Sequence, residues 1–225
     1  MIGIVIPAHN EEAMLPGCLA AALRAAEDAE LEGEPVRILV VLDACDDGSA
    51  RVCDTFGVAT LAIEARNVGS ARAAGAADQL QAGADWLAFT DADTVVSSGW
   101  LAAQLRHARL GADAVCGSVA VDDWSPHGVH AARLRDRFDA HYVDADGHRH
   151  IHGANLGVSA AAYRRAGGFL PLALSEDVAL VDALLAAGAS IAWSATPRVV
   201  TSARVDPRAS GGFGDTLHAM LASVS

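Results

Sequence analysis

Short apolar runs alternate with longer amphipathic stretches through the first half of the chain. The runs are "IGIVIP", "VRILVVL", "VATLAIE" and "WLAFT", and the apolar spacing between and after them predicts helices over 11–29, 48–56, 69–82 and 98–110. Near-continuous apolar runs joined by crossover helices are the mark of parallel strands covered on both faces, so the pattern predicts an α/β fold. Ligands of such sheets bind beyond the carboxyl ends of the strands. The polar clusters fall there: "PAHNEE", "DACDDGS", "ARNVGSAR" and "TDADT" follow the four strands in turn. Beyond residue 111 the alternation loosens. "ADAVCGSVAV" reads as a strand, 128–142 as a helix and 144–152 as a polar, histidine-rich loop. Then come "GANLGVS", helices "AAAYRRAG" and "EDVALVDALLAAG", and two short strands, "SIAWS" and "RVVTS". Residues 206–225 read as a flexible tail with a short helix. No internal repeat or long linker interrupts the chain, so a single domain over 1–225 is expected.

Composition narrows the class. The 225 residues are 52% hydrophobic, which marks a globular chain. Net charge is −12, and all 16 basic residues are arginine. That sign argues against nucleic acid as a general partner, yet admits one small anion bridged by a metal. Cys18, Cys45, Cys53 and Cys116 show no C-x-x-C spacing, so neither a zinc site nor a disulfide framework is signalled, and a cytoplasmic location is expected. "MIGIVIP" lacks a basic flank and breaks at Pro7, and the other apolar stretches are brief, so neither a signal peptide nor a transmembrane segment is expected.

Asp91 and Asp93 stand side by side where an apolar run ends. Two carboxylates about 4 Å apart repel by roughly 4 kcal/mol at an effective dielectric of 20, so a site that keeps both ionised calls for a cation. Oxygen-only ligands suit Mg2+ or Mn2+, which one or two carboxylates hold while substrate phosphates and water complete the shell. On spacing alone, a loop with two solvated acids, one capping the next helix, fits equally. The same ambiguity touches Asn10 and Glu11, which read as a helix cap with an acid in the first turn, and "SED" at 175–177, another cap pattern. His148, His150 and His152 alternate and could share one strand face.

Taken in order, these clusters resemble the family 2 glycosyltransferases, inverting enzymes of the GT-A fold that use sugar nucleotides, over roughly residues 3–202. The resemblance implies a Rossmann-like, mostly parallel central sheet flanked by helices, with a smaller acceptor-side β element. It makes 1–110 the nucleotide-binding half and 111–205 the acceptor-binding half. By the same resemblance Pro7, His9, Asn10 and Glu11 surround base and ribose, His9 stacking on the base and Glu11 accepting from ribose hydroxyls. "VVLDACDDGS" puts Asp43 at a base-binding position, although Leu42 stands where the family's first aspartate falls; Asp47 reads as a cap. Asn67, Gly69, Arg72 and Gly75 match the next motif, with Arg72 reaching a diphosphate or base edge and Arg66 assisting. Asp93 would touch the metal directly, while Asp91 meets ribose or metal-bound water, with Ala92 between them in the nucleotide site.

On the acceptor side, "HGANLGVSAAAYRRAGGF" aligns Gly153, Asn155, Gly168 and Phe169, but Ser159 replaces a frequent arginine. His152, Gly153, Asn155 and Glu176 are the expected acceptor and sugar contacts. Asp177, in "LSEDVAL", matches the family's general base. The metal-binding histidine that many relatives carry after the last core strand is missing from "VVTSAR", leaving His218 as the next candidate. The expected function is thus metal-dependent transfer of a sugar, UDP-sugar before GDP-sugar, to a hydroxyl of a soluble, small-molecule, lipid or glycan acceptor, with a homodimer compatible. The alternatives are a non-catalytic nucleotide-sugar-binding relative and a phosphatase using the D-x-D loop. Such phosphatases place the loop after their first strand and need a lysine; this sequence has none.

Overall fold

A computed structural model describes residues 1–205. Eight strands and seven helices follow one another as β1 (Ile2–Ala8), α1 (Leu15–Ala26), β2 (Val36–Asp43), α2 (Ser49–Phe56), β3 (Ala59–Ile63), α3 (Val68–Gln81), β4 (Trp86–Phe89), β5 (Thr94–Val96), α4 (Trp100–Arg109), β6 (Ala114–Ala120), α5 (Ala131–His141), β7 (Leu156–Ser159), α6 (Ala160–Ala166), α7 (Glu176–Ala186) and β8 (Ile191–Thr201). They form one sheet in the order β3-β2-β1-β4-β7-β6-β8-β5. Strands β1 to β4 pair in parallel, β7 runs antiparallel to both β4 and β6, β6 and β8 are parallel, and β5 pairs antiparallel with β8. The α/β, mostly parallel sheet flanked by helices is the expected fold, and the later strands extend the same sheet rather than forming a separate β element.

The apolar runs read as strands because both sheet faces are covered. Alternate residues enter opposite cores, as the two-residue strand period requires. Ile4, Ile6, Val40 and Ala88 pack with Leu15, Leu19, Trp100 and Leu101 from α1 and α4. Val5, Leu39, Val41, Leu87 and Phe89 pack with Ala71, Ala76, Leu180 and Leu184 from α3 and α7. No helix among the described residues is long and apolar enough to cross a membrane.

Three boundaries differ from the sequence expectation. The first helix begins at Leu15, with Pro16 in its first turn, where its missing N–H costs nothing; residues 9–14 instead form a turn in which Asn10 takes φ 56°. "SIAWS" and "RVVTS" are one strand, β8, whose register against β6 shifts between Gly117 and Val119, where Pro197 has no N–H for the ladder. β5, three residues long, was not legible as a period and turns the chain back directly after Asp93.

Gly69 fixes how α3 enters. Its N–H donates to Leu172 O at 3.1 Å, and a Cβ there would lie 2.6 Å from that oxygen while also striking Leu170 O. Gly69→Ala is expected to lower the unfolding free energy in urea by roughly 2 kcal/mol; unchanged stability would show that the 170–172 segment yields freely.

Candidate active site

The carboxyl ends of β1, β2 and β4 converge, and two arginines organise the acids gathered there. Asp91 and Asp93 sit in the tight turn from β4 into β5, closed by Thr94 N–H donating to Asp91 O at 3.1 Å and by the Cys18 thiol donating to the same carbonyl at 3.3 Å. Arg72, from the second turn of α3, is 3% exposed. Its Nη2 donates to Asp91 Oδ1 at 2.6 Å, its Nε to Glu176 Oε1 at 3.0 Å and its Nη1 to Gly153 O at 2.7 Å. Gly153 N–H in turn donates to Asp177 Oδ2 at 2.7 Å. One guanidinium therefore ties the end of β4, the turn at Gly153–Asn155 and the start of α7 together. Gly153 must be glycine: a Cβ would stand 2.5 Å from Arg72 Nη2.

Asp93 has the other arginine. Arg204, three residues past β8, grips Glu11 through Nη1 to Oε2 at 2.9 Å and Nη2 to Oε1 at 2.7 Å, and its Nη2 lies 2.9 Å from Asp93 Oδ2. Burial pushes the Asp93 carboxyl up to about 6, with the charges of Asp91 and Glu11 adding to the effect and Arg204 opposing it. Burial also raises Glu176, opposed by Arg72 and reinforced by Asp177. Among the described residues, Glu11, Asp91, Asp93, Glu176 and Asp177 thus meet two guanidiniums, and the uncompensated charge is negative. Asp91, with a side chain 34% exposed against 14% for Asp93, is the more open of the pair.

Several residues expected at the ligand are committed to the protein instead. Asp43 is 4% exposed; its Oδ1 accepts from the N–H groups of Ala65 and Arg66, and its Oδ2 from that of Asn67, each at 2.7 Å. It clamps the loop before α3. Asn67 caps α3, accepting from Ser70 N–H at 2.8 Å and donating to Pro171 O at 3.2 Å. With Gly69 N–H also spent on Leu172 O, the amides of Asn67, Gly69 and Ser70 at the start of α3 are all taken by the protein itself. Arg72 likewise meets Asp91, Glu176 and Gly153 rather than facing a base or diphosphate. Asn155, 1% exposed, accepts from Trp100 Nε1 at 2.8 Å and donates to Ser118 O at 2.7 Å and to Pro197 O; it joins α4, β6 and β8 and reaches no acceptor. Ala92 points its methyl group into the core.

Other candidates line the cleft. Pro7 is half-buried at the end of β1. His9 Nδ1 pairs with Asp43 O at 2.6 Å. Asn10 caps no helix; its amide exchanges hydrogen bonds with Asp46 at 2.7 and 2.9 Å. Glu11 N–H donates to Ser49 Oγ at 2.9 Å while its carboxylate holds Arg204. Asp47 accepts from Glu12 and Ser49 N–H groups at 2.9 Å each, bracing the start of α2. Asp177 is half-buried, accepting from Gly153 and, through Oδ1, from Val178 N–H at 2.8 Å. His218 lies outside the described residues.

His148, His150 and His152 share no strand. Their rings stack in a loop, with centroids 5.4 and 6.0 Å apart, and Tyr142 stacks on His150 at 4.1 Å. His148 is 4% exposed and meets Trp193 edge-on. His152 pairs its Nε2 with Tyr142 Oη at 3.0 Å. Burial lowers the His152 imidazole to about 4, helped by His150 and His148 and resisted by the charge of Asp91. Arg204 was the residue missed by sequence reasoning. It closes "VVTSAR", and no local pattern marks its partners.

Among the described residues no group of three or more histidine, cysteine, aspartate or glutamate side chains forms a closed metal cage. Two adjoining carboxylates with an open side match the way Mn2+ and Mg2+ are held when substrate phosphates complete the shell. The donor set therefore fits such an ion.

A family model described as glycosyl transferase family 2 matches residues 3–166. The chain matches none of the curated proteins. Among solved structures it is similar to the mannosyltransferase PcManGT from Pyrobaculum calidifontis in complex with GDP-Man and Mn2+, at 17% identity and a TM-score of 0.62, covering 88% of this chain and 56% of that one. It is similar to glucosyl-3-phosphoglycerate synthase from Mycobacterium tuberculosis with Mn2+ and UDP-Glc, at 18% identity and a TM-score of 0.62, covering 100% and 76%. TarS 1-349 from S. aureus with UDP-GlcNAc gives 14% identity and a TM-score of 0.63, covering 98% and 64%. At these identities the likeness is one of fold. The chain spans little more than half the length of the mannosyltransferase.

Removing the Asp43 carboxylate leaves three N–H groups without their acceptor, so Asp43→Ala is expected to lose about 2 kcal/mol of unfolding free energy, read by urea denaturation; no loss would contradict the clamp. For His152 the unfolded chain takes up a proton from about pH 6.5 downward while the folded chain resists until about pH 4. Its contribution is therefore complete above pH 6.5 and falls away between those values, by about 3 kcal/mol at most. Denaturation curves from pH 7 to 4 should show a smaller loss in His152→Gln than in the unaltered protein; parallel losses would contradict it.

Proposed function

The chain belongs to glycosyl transferase family 2, and from that premise we propose that it moves a sugar from a nucleotide-sugar donor to an acceptor hydroxyl with inversion, in one GT-A domain. Residues 1–110 form the nucleotide half and 111–205 the acceptor half of this reading. The observation that carries it is the gathering of Asp91, Asp93 and Asp177 at one edge of the sheet, with Arg72 and Gly153 linking the first to the last. UDP-sugars lead the donor class and GDP-sugars follow; structural neighbours are named with each.

Asp93 and Asp91 would hold a divalent cation, Mn2+ or Mg2+, whose charge offsets that developing on the departing diphosphate. Asp177 is the general base. Its Oδ2 is oriented by Gly153 N–H and its Oδ1 by Val178 N–H, and each oxygen keeps a lone pair for the acceptor proton. As the acceptor oxygen bonds to the anomeric carbon, its proton passes to Asp177, the bond from that carbon to the diphosphate oxygen breaks, and the electron pair leaves with the nucleotide. Glu176 and Arg72 act as positioning residues: their ion pair at 3.0 Å sets where α7 begins. His9, Asn10 and Glu11 border the nucleotide, and His152, neutral at physiological pH, borders the acceptor.

Two variants separate the roles. With UDP- and GDP-sugars and Mn2+, Asp177→Asn should bind nucleotide within about threefold of the unaltered protein yet lose about a hundredfold or more of nucleoside diphosphate release. Asp93→Ala should lose metal-dependent nucleotide binding itself, measured by calorimetry. Equal loss of binding in both would contradict this division, and absence of release from any donor by the unaltered protein would leave a nucleotide-sugar-binding module.

A further inference from the structure

The two arginines at the acids differ in what they could do. Arg72 is buried and fixed by three acceptors on three elements, so moving it would dismantle the site. Arg204 is 26% exposed in its side chain and lies on the segment trailing β8. Two carboxylates, Glu11 and Asp93, are its guanidinium's ion-pair partners, and a third charge, Asp91, acts on it from further away. Asp93 is the carboxylate that a divalent cation would also need. A guanidinium and a divalent ion on one carboxylate repel each other, so one of them must give way.

We propose that Arg204 is a donor-binding residue that changes partners: Glu11 and Asp93 hold its charge until a divalent cation takes Asp93, and the guanidinium then pairs with the diphosphate carried by that cation. This rests on the nucleotide-sugar reading above. The chemistry favours the exchange. A guanidinium carries five N–H donors, more than the contacts Arg204 makes with Glu11 and Asp93, so it can meet phosphate oxygens without leaving Glu11. The exchange leaves no charge stranded, because the cation replaces the guanidinium at Asp93, the diphosphate replaces Asp93 at Nη2, and Glu11 keeps its two hydrogen bonds.

The test uses the whole chain, with Mn2+ alone and then UDP or GDP at saturating Mn2+. Arg204→Gln should bind Mn2+ alone about tenfold more tightly, read from the free-Mn2+ electron paramagnetic resonance signal, because the competing cation is gone. It should bind the nucleoside diphosphate about tenfold more weakly. Arg204→Lys, which keeps the charge and loses the fork, should fall between in both, and near-ultraviolet circular dichroism checks that each variant is folded. Unchanged or weakened Mn2+ binding in Arg204→Gln overturns the exchange. Tightened Mn2+ binding with equal diphosphate binding overturns the diphosphate assignment alone. Tightened Mn2+ binding with no nucleoside diphosphate bound by any form, the unaltered protein included, overturns that assignment and the donor reading together.

Discussion

The constraint on which the site depends is electrostatic: five carboxylates drawn into a small volume at the edge of a sheet, with two guanidiniums to answer them. Burying like charges is costly unless each is paired and hydrogen-bonded. Arg72 and Arg204 each pair with two of the carboxylates. By donating to Asp91, Glu176 and the Gly153 carbonyl at once, Arg72 makes the positions of β4, the Gly153–Asn155 turn and α7 a single problem with a single solution. Asp177 is placed as a consequence, because Gly153 offers its carbonyl to Arg72 and its N–H to Asp177.

The scaffold around this cluster is held by side chains whose polar atoms are turned to the protein's own backbone. Asp43 gathers three N–H groups, Asn67 caps α3 and Asn155 spans α4, β6 and β8. Such interactions keep a loop-rich edge rigid, and a rigid edge is what a site of opposed charges needs. The negative excess that remains at Asp91 and Asp93 is then a designed imbalance, available to a cation and through it to an anion.

Much of this was legible in the sequence, and the remainder was hidden for a physical reason. The strands β1 to β4 announced themselves because burial on both faces leaves unbroken apolar runs, and Asp91, Asp93 and Asp177 were singled out by the order of motifs along the chain, since locally each also reads as a loop or cap acid. β5 escaped because three residues carry no period. The backbone contacts of Asp43, Asn67 and Asn155 were hidden because a polar residue at a strand end looks the same whether its partner is a ligand or a backbone group. Arg72 and Glu176 lie 104 positions apart, and Arg204 and Glu11 lie 193 apart; no local pattern joins them.

The central claim is that Asp91 and Asp93 hold a divalent cation that carries a nucleoside diphosphate. The most direct measurement is anomalous X-ray diffraction, at the manganese edge, from crystals of the protein grown with Mn2+ and UDP. The account predicts an anomalous peak within coordination distance of Asp93 and the diphosphate, with Asp91 beside it. A nucleotide bound elsewhere, or a manganese peak away from both aspartates, would contradict it.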